Sequence, residues 1–243
     1  MEDLGQLARD AVMACRSAEP ARRRPRLGAT GYASFGGGDW STLITERTEV
    51  FDAVRKEGIT GLAIVAGDRH SFWAGLPSAS LPPKAFQPVG VEFVVGSISS
   101  PGVVEAAEHR LPKDTPLRGM YLRDGDGGRP QPTINMLVRH GVRAALEYAR
   151  SGDVDKARAL SNPSLSPHLS FVDLAGHGYA TVRVTADTLD TEFVCIPRPL
   201  ERSTAPDGGP VRYRVAHRAR LWTRGERPAL EQRVLEGAPA LSI

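Results

Sequence analysis

The amino-acid sequence predicts a mixed α/β fold whose last third is richer in strands. Residues 61–66 form an apolar run without polar alternation, directly after a helical pattern. Such a run is typical of a strand inside an α/β core. Beyond residue 170, several segments alternate apolar and polar residues, which is typical of antiparallel strands. We therefore expect an α/β core followed by a β-rich C-terminal portion.

The composition is that of a globular protein, with 243 residues, 41% hydrophobic and 24% charged. Lysine and arginine number 31 against 28 acidic residues, and they are scattered, so no nucleic-acid partner is predicted. No run of about 18 apolar residues is present, so no membrane span is predicted. The two cysteines, Cys15 and Cys195, lack Cys-x-x-Cys spacing, and each is interpreted as a buried thiol.

Residues 1–39 are predicted to form a helix, over 4–18, and a linker rich in Pro, Arg and Gly, over 19–39. The acidic start does not resemble a secretory signal, and the chain as written is predicted to be cytoplasmic. The main domain is expected to cover residues 40–243.

A second helix is predicted to begin near Ser41 or Thr42 and to end at Gly58. Its apolar residues recur on one face: Ile44, Val50, Phe51 and Val54. The strand over 61–66 is expected to be buried on both faces, and a second strand is predicted at Val89–Val95.

The remaining elements follow the same patterns. Residues 105–166 are predicted to be helix and loop, with one long helix from Thr133 to Arg150. The antiparallel strands are predicted at 171–173, 179–184, 191–195 and 211–221.

The most distinctive chemistry follows the first strand, in the segment from Gly67 to Trp73. Ligands collect at the carboxyl ends of strands in α/β sheets. Asp68 and His70 lie two residues apart, so an extended backbone would point both side chains the same way. A carboxylate beside an imidazole can hold a metal ion. The alternative is that both side chains only cap a loop.

Leu62 to Trp73 is similar to the last metal motif of the alkaline phosphatase D (PhoD-like) family of metallophosphoesterases. The likeness continues, in the family's order, through Glu92–Gly102, Pro167–Asp173 and Gly176–Tyr179. Upstream, Trp40-Ser41 and Glu46-Arg47 resemble the family's Trp-x-Gly-Tyr-x-x-Glu-Arg segment. Together these segments span residues 40 to about 200.

This resemblance implies the C-terminal half of a layered α/β/β/α sandwich. It also implies a hydrolase of phosphomonoesters or phosphodiesters that uses calcium and iron. Asp68 and His70 fall on the family's metal-binding and catalytic pair. The resemblance places these residues near the substrate: Arg69, Trp73, Ser99, Ser100, His168, Asp173 and His177. Alternatives remain: core packing for Trp73, ordinary loop histidines for His168 and His177, and a turn acceptor for Asp173.

The family's upstream ligand motifs (Asp-x-His, Gly-Asp and Asn-His-Asp) are absent from residues 1–39. We therefore expect an incomplete metal site and a strand at Leu62–Val65 with one face unpartnered. Two hypotheses follow. The chain is a phosphoester hydrolase completed by another copy or by a missing N-terminal half, or it is an inactive remnant that binds a ligand or partner. Family members are usually secreted.

Two loops have weaker signals. Gly96–Gly102 could cradle a phosphate through backbone N–H groups and hydroxyls, although such clusters are mostly turns. Asp124–Gly128 superficially resembles a calcium loop but lacks a glutamate at the twelfth position.

Overall fold

The structure is a computed structural model that describes residues 43–82, 84–125, 130–205 and 210–243. Its elements, in chain order, are α1 (Ile44–Glu57), β1 (Ala63–Ala66), β2 (Phe72–Gly75), β3 (Val91–Val94), α2 (Val103–Arg110), a 3₁₀ turn (Arg118–Met120), β4 (Arg123–Asp124), β5 (Pro130–Gln131), α3 (Thr133–His140), α4 (Val142–Ser151), α5 (Val154–Arg158), β6 (Leu169–Asp173), β7 (His177–Val184), β8 (Thr188–Ile196), β9 (Tyr213–Arg220) and β10 (Glu231–Gly237). The helix predicted over 4–18, the linker, Cys15 and Trp40-Ser41 lie outside the described residues. Within the described ranges, no helix has the length and apolarity needed to cross a membrane.

The first sheet has the strand order β1-β3-β2-β6. β1 runs parallel to β3, whereas β2 runs antiparallel to both β3 and β6. As a result, the carboxyl ends of β1, β3 and β6 and the start of β2 meet at one end of the sheet, which we call the His70 end. The opposite end, where Gly75 pairs with Glu92 and with Leu169, we call the His168 end.

The second sheet has the order β10-β9-β8-β7 and is antiparallel throughout. It packs face to face on the first sheet through an aromatic core, in which the rings of Phe72 and Phe193 lie 4.9 Å apart. The buried members of this core are Phe72, Ala74, Val91, Phe93, Phe171, Phe193, Cys195, Tyr213, Val215 and Ala219. The predicted β-rich C-terminal portion is therefore confirmed.

Helices cover the other face of the first sheet. Trp73, Val94 and Val172 point to this side because side chains alternate along a strand. They pack against residues of α2 and α3, among them Val104, Ile134 and Val138. The described residues thus form three layers, helices, first sheet and second sheet, and the predicted mixed α/β fold is confirmed.

The prediction that the first strand is buried on both faces is wrong. β1 is an edge strand, and Val65 is 53% exposed. Among the described residues, no strand pairs with its outer side. An apolar run in the sequence does not show whether another strand or helix packs against it in the fold. The exposure agrees with the expectation that this strand would have an unpartnered face.

The predicted end of helix α1 at Gly58 is confirmed. Gly58 adopts a left-handed conformation, with φ 65°. Phe51 and Val54 are buried, as expected from the apolar pattern. Ile44 and Val50 are exposed instead, and Arg47 is buried in their place. The apolar pattern could not show this because Arg47 faces a polar pocket at the sheet.

Two further predictions need correction. The single helix predicted from Thr133 to Arg150 is two helices, α3 and α4, which are separated by Gly141 with φ 97° and ψ 177°. That backbone conformation favours glycine and interrupts the helical hydrogen bonds. Strand β10 was not predicted because it is exposed along most of its length, so its sequence does not alternate.

Candidate active site

The turn at 67–71 connects two strands that are not neighbours. β1 and β2 flank β3 on opposite sides, so the chain must cross over the end of β3 within five residues. Asp68 and His70 both adopt positive φ angles, 68° and 50°. The extended backbone expected here is therefore wrong. Aspartate and histidine are among the residues that tolerate this conformation best, and such outliers cluster at functional sites.

His70 is held in one orientation by the segment that leaves β3. Its Nδ1 lies 2.8 Å from the carbonyl oxygen of Pro101. A carbonyl can only accept a hydrogen bond, so Nδ1 carries the proton and Nε2 keeps its lone pair. Metal-binding histidines typically have this arrangement. His70 is half-buried and Asp68 is exposed, so both can be reached from solvent.

The segment 97–101 is fixed mainly through its carbonyl groups. The Ser97 hydroxyl donates to the carbonyl of Ser100 at 2.6 Å, and Arg198 Nε donates to the carbonyl of Ser99 at 2.7 Å. The backbone N–H of Gly178 donates to the carbonyl of Ser97 at 2.9 Å. Ser99 and Ser100 are themselves exposed, next to the carbonyl that holds His70. Both serines therefore lie close in the chain to the contact between Pro101 and His70, and their role at a substrate stays a prediction.

His177 also lies at the His70 end, but it is 1% exposed. Its Nε2 is 2.6 Å from Glu105 Oε1, and its Nδ1 is 3.4 Å from the Ser97 hydroxyl. Glu105 also accepts a hydrogen bond from the backbone N–H of Gly102 at 2.9 Å. Burial alone would raise the pKa of Glu105, but these hydrogen bonds outweigh it and lower the pKa. His177 therefore supports the 97–101 segment, and its predicted contact with a substrate stays a prediction.

Asp173 is buried and satisfied by three donors. Tyr213 Oη donates at 2.7 Å, the backbone N–H of Ala175 at 2.9 Å and Asn135 Nδ2 at 3.2 Å. The bond to Ala175 agrees with the alternative interpretation as a turn acceptor. Burial and the neighbouring Asp173 raise the pKa of Tyr213 far above its usual range. Asp173 therefore joins the first sheet to α3 and to the second sheet.

Cys195 lies beside this cluster and is fully buried, as predicted. Burial, followed by the charge of Asp173, raises the pKa of its thiol to about 12. The thiol stays protonated at neutral pH, so it is not a reactive nucleophile.

Trp73 contacts the 67–71 turn only from inside the core, and the structure does not bring His168 to that turn. Trp73 is 3% exposed within the core, and its Nε1 donates to the Ser71 hydroxyl at 2.7 Å. His168 precedes β6 and lies at the opposite end of the sheet. The direction of β6 explains this separation, because His168 directly precedes the first residue of the strand and Asp173 is its last residue. The structure therefore does not gather all the predicted site residues in one place.

A metal ion needs several donor side chains that lie close together. In the described part of the chain, no group of three or more His, Cys, Asp or Glu side chains could hold a metal ion. Asp68 and His70 fit two positions of a ligand shell, and calcium takes six to eight oxygen ligands. In the Asp124 loop, Asp124 lies 3.5 Å from Arg118, and residues 126–129 are outside the described ranges.

Sequence reasoning missed Glu105 and Arg198, which both hold the 97–101 segment. Glu105 had a detectable signal: glycine is an accepted residue at a helix start, and a glutamate three residues later can accept from its backbone N–H, as Glu105 does from Gly102. No pattern around Arg198 indicates its contact, since it lies 99 residues from Ser99.

Comparison with known proteins supports one family. Residues 7–124 match the family model for PhoD-like phosphatase. The resemblance to PhoD-like phosphatases is confirmed. The matched range contains Asp68, His70 and the 97–101 segment, and the predicted boundary at residue 39 falls inside it.

A solved structure of PhoD is also similar, with 15% sequence identity and a TM-score of 0.44. The alignment covers 82% of this chain and 27% of that chain, so the present sequence spans about a quarter of that protein's length. No curated protein matches the chain significantly.

Proposed function

We propose that this chain contributes part of the active site of a metal-dependent PhoD-like phosphoester hydrolase. Asp68 and His70 are two of the metal ligands. The observation that carries the proposal is the hydrogen bond from His70 Nδ1 to Pro101, which leaves Nε2 as a donor to metal beside an exposed carboxylate. This pair lies within the range matched by the family model.

The family resemblance indicates calcium and iron, which would neutralise phosphate charge and activate the attacking water when bound. The protein's own part is positioning. Pro101 fixes the tautomer and ring orientation of His70, and the exposed hydroxyls of Ser99 and Ser100 can donate to phosphate oxygens. Arg69, between the two ligands in the chain, adds positive charge at the same turn. The substrates are phosphomonoesters or phosphodiesters.

Two ligands do not complete such a metal shell. The other donors must come from residues outside the described ranges, from a second copy of the chain or from a separate N-terminal half. The exposed outer side of β1, next to the turn at 67–71, provides room for such a contribution.

The test is hydrolysis of a chromogenic phosphodiester and a chromogenic phosphomonoester by the purified full chain, with and without chelator. Bound metal is measured by elemental analysis in parallel. We expect chelator-sensitive turnover that falls at least ~100-fold in His70→Ala, because a direct ligand is lost. His109→Ala is the matched control, since His109 is exposed on α2, and its turnover should equal that of wild type.

Equal turnover in His70→Ala and wild type would overturn the assignment of His70. Absence of both metal and turnover in the wild-type chain would instead favour the alternative, an inactive remnant domain. Addition of a second polypeptide that restores metal binding would identify the source of the missing ligands.

A further inference from the structure

A second polar pocket lies at the His168 end, between α1 and the helical face of the first sheet. It occupies about 480 Å³, including the space at its open mouth. Its polar and aromatic lining includes Arg47, Glu92, His168, Trp73, Ser78 and Ser80. The enclosed part of this space is much smaller, so the pocket suits only a small ligand.

Two nitrogen atoms in this pocket are buried without a partner. Arg47 is 8% exposed, and within the described chain its Nε has no hydrogen-bond partner. The same holds for Nδ1 of His168. A buried polar atom without a partner is unfavourable, so water, an ion or a ligand is expected to contact it.

The pocket's serines are already occupied. The Ser78 hydroxyl donates to the carbonyl of Ser80 at 2.8 Å, and the Ser80 hydroxyl donates to the carbonyl of Ala85 at 2.5 Å. Three ionisable side chains therefore remain to contact a ligand: Arg47, Glu92 and His168.

Of these three groups, Arg47 is the one whose charge attracts an anion. Burial lowers the pKa of His168 to about 3, so its ring is neutral at pH 7 and one ring nitrogen carries a proton. Burial also raises the pKa of Glu92, although the neighbouring Arg47 opposes this. The charges of Arg47 and Glu92 attract each other across the pocket, and Arg47 is the group that can also pair with a bound anion.

We propose that this pocket binds a small oxyanion, a carboxylate or inorganic phosphate, through Arg47 Nε–H and the Nδ1 of His168. The guanidinium supplies the charge and the imidazole a second hydrogen bond, while Trp73 closes one wall. The site is separate from the Asp68–His70 turn, because four-residue strands of about 10 Å lie between the two ends of the sheet. It stands independently of the proposed hydrolase activity.

The first experiment observes the buried nitrogens directly in the wild-type full chain. The ¹⁵N NMR signals of Arg47 Nε and the His168 ring are followed during separate titrations with inorganic phosphate and acetate, in the presence of chelator. We expect a saturable shift of both signals with at least one anion. A response to phosphate alone identifies a phosphate site, and a response to acetate alone identifies a carboxylate site.

The Asp68→Asn variant separates this site from the proposed metal site. Affinity should be unchanged in that background, and loss of the shift would show that the anion binds at the His70 end, which overturns the proposal. Absence of a saturable shift with either anion would also overturn it, since water alone would then satisfy the buried nitrogens.

A matched pair of variants on α1 tests the role of the guanidinium. Arg47→Met should weaken anion binding at least ~10-fold, whereas Arg55→Met should not, because Arg55 is exposed on the same helix and pairs with Asp52. Equal affinity in both variants would contradict the assignment of Arg47. The wild-type titration remains decisive if Arg47→Met does not fold.

Discussion

The two ends of the first sheet handle their polar groups in opposite ways. At the His70 end, the Pro101 carbonyl, Glu105 and Asp173 are all hydrogen-bonded within the protein, although Asp68 and His70 remain open to solvent. At the His168 end, two buried nitrogens have no partner in the described chain. The difference shows that the polar groups of the first end are paired within the protein, whereas the second end keeps two buried nitrogens for which the described chain provides no acceptor or donor.

Connectivity explains this contrast. At the His70 end, segments next to the strands bond to one another: His70 Nδ1 donates to the carbonyl of Pro101, and the N–H of Gly178 donates to the carbonyl of Ser97. The His168 end is covered by the long side chain of Arg47 from α1, and a guanidinium needs acceptors that an apolar helix face does not provide.

The largest expected effect is loss of Asp173, which would break the His70 end. In Asp173→Ala, the buried Tyr213 hydroxyl loses the carboxylate that accepts its hydrogen bond, and the Asn135 amide keeps only Ser242 as an acceptor. We expect the free energy of unfolding to fall by about 4 kcal/mol, measured by urea denaturation. Asp114→Ala, at an exposed loop position, is the control and should change stability by less than about 0.5 kcal/mol. A loss below about 1 kcal/mol in Asp173→Ala would contradict the structural role.

The next effect concerns the His168 end and its acid sensitivity. The pKa of His168 is lowered to about 3, against 6.5 in an unfolded chain. Between these values the unfolded chain binds a proton that the folded chain excludes, so stability is lost as the pH falls from 6.5 towards 3. In His168→Gln, the stability difference between pH 7 and pH 4 should shrink by about 3 kcal/mol.

The control for this measurement is His109→Gln, which alters an exposed histidine on α2. Its acid sensitivity should match that of wild type. His217 is also buried, and burial lowers its pKa to about 4, but it is present in both variants and cancels in the comparison. An unchanged pH dependence in His168→Gln would show that the ring is accessible to protons.

The smallest expected effect on stability concerns Glu105, at the His70 end. Glu105→Gln keeps an acceptor for the N–H of Gly102 but loses the charge-assisted bond to His177, whereas Glu105→Ala loses both. We expect stability losses of about 1 kcal/mol and about 2 kcal/mol, respectively. Because the pKa of Glu105 is lowered, this contribution is present at neutral pH and is lost as the pH falls below 4.5.

Hydrogen exchange of residues 97–101 provides the second readout for these variants. Exchange should be faster in Glu105→Ala than in Glu105→Gln, since the 97–101 segment depends on the Glu105–His177 pair. Equal exchange rates in wild type and Glu105→Ala would show that the remaining contacts of this segment are sufficient.

The sequence predicted where the helices and strands lie in the chain better than which of them lie next to each other in the fold. The end of α1 at Gly58, the strand at Val91–Val94 and the β-rich final third follow from local patterns. The burial of β1 was wrong because burial depends on which strand lies alongside. The break between α3 and α4 required the conformation of Gly141, which no apolar period reveals.

By itself, the sequence determined which residue types follow the first strand, and it indicated Asp68 and His70 as a pair with ligand chemistry. Only the tertiary structure decided which residues surround them. It placed Ser99 and Ser100 next to the carbonyl that holds His70, buried His177 and Asp173 in internal hydrogen bonds, and placed His168 at the opposite end. The physical reason is that strand order and direction, which depend on contacts far apart in the chain, decide which loop ends meet.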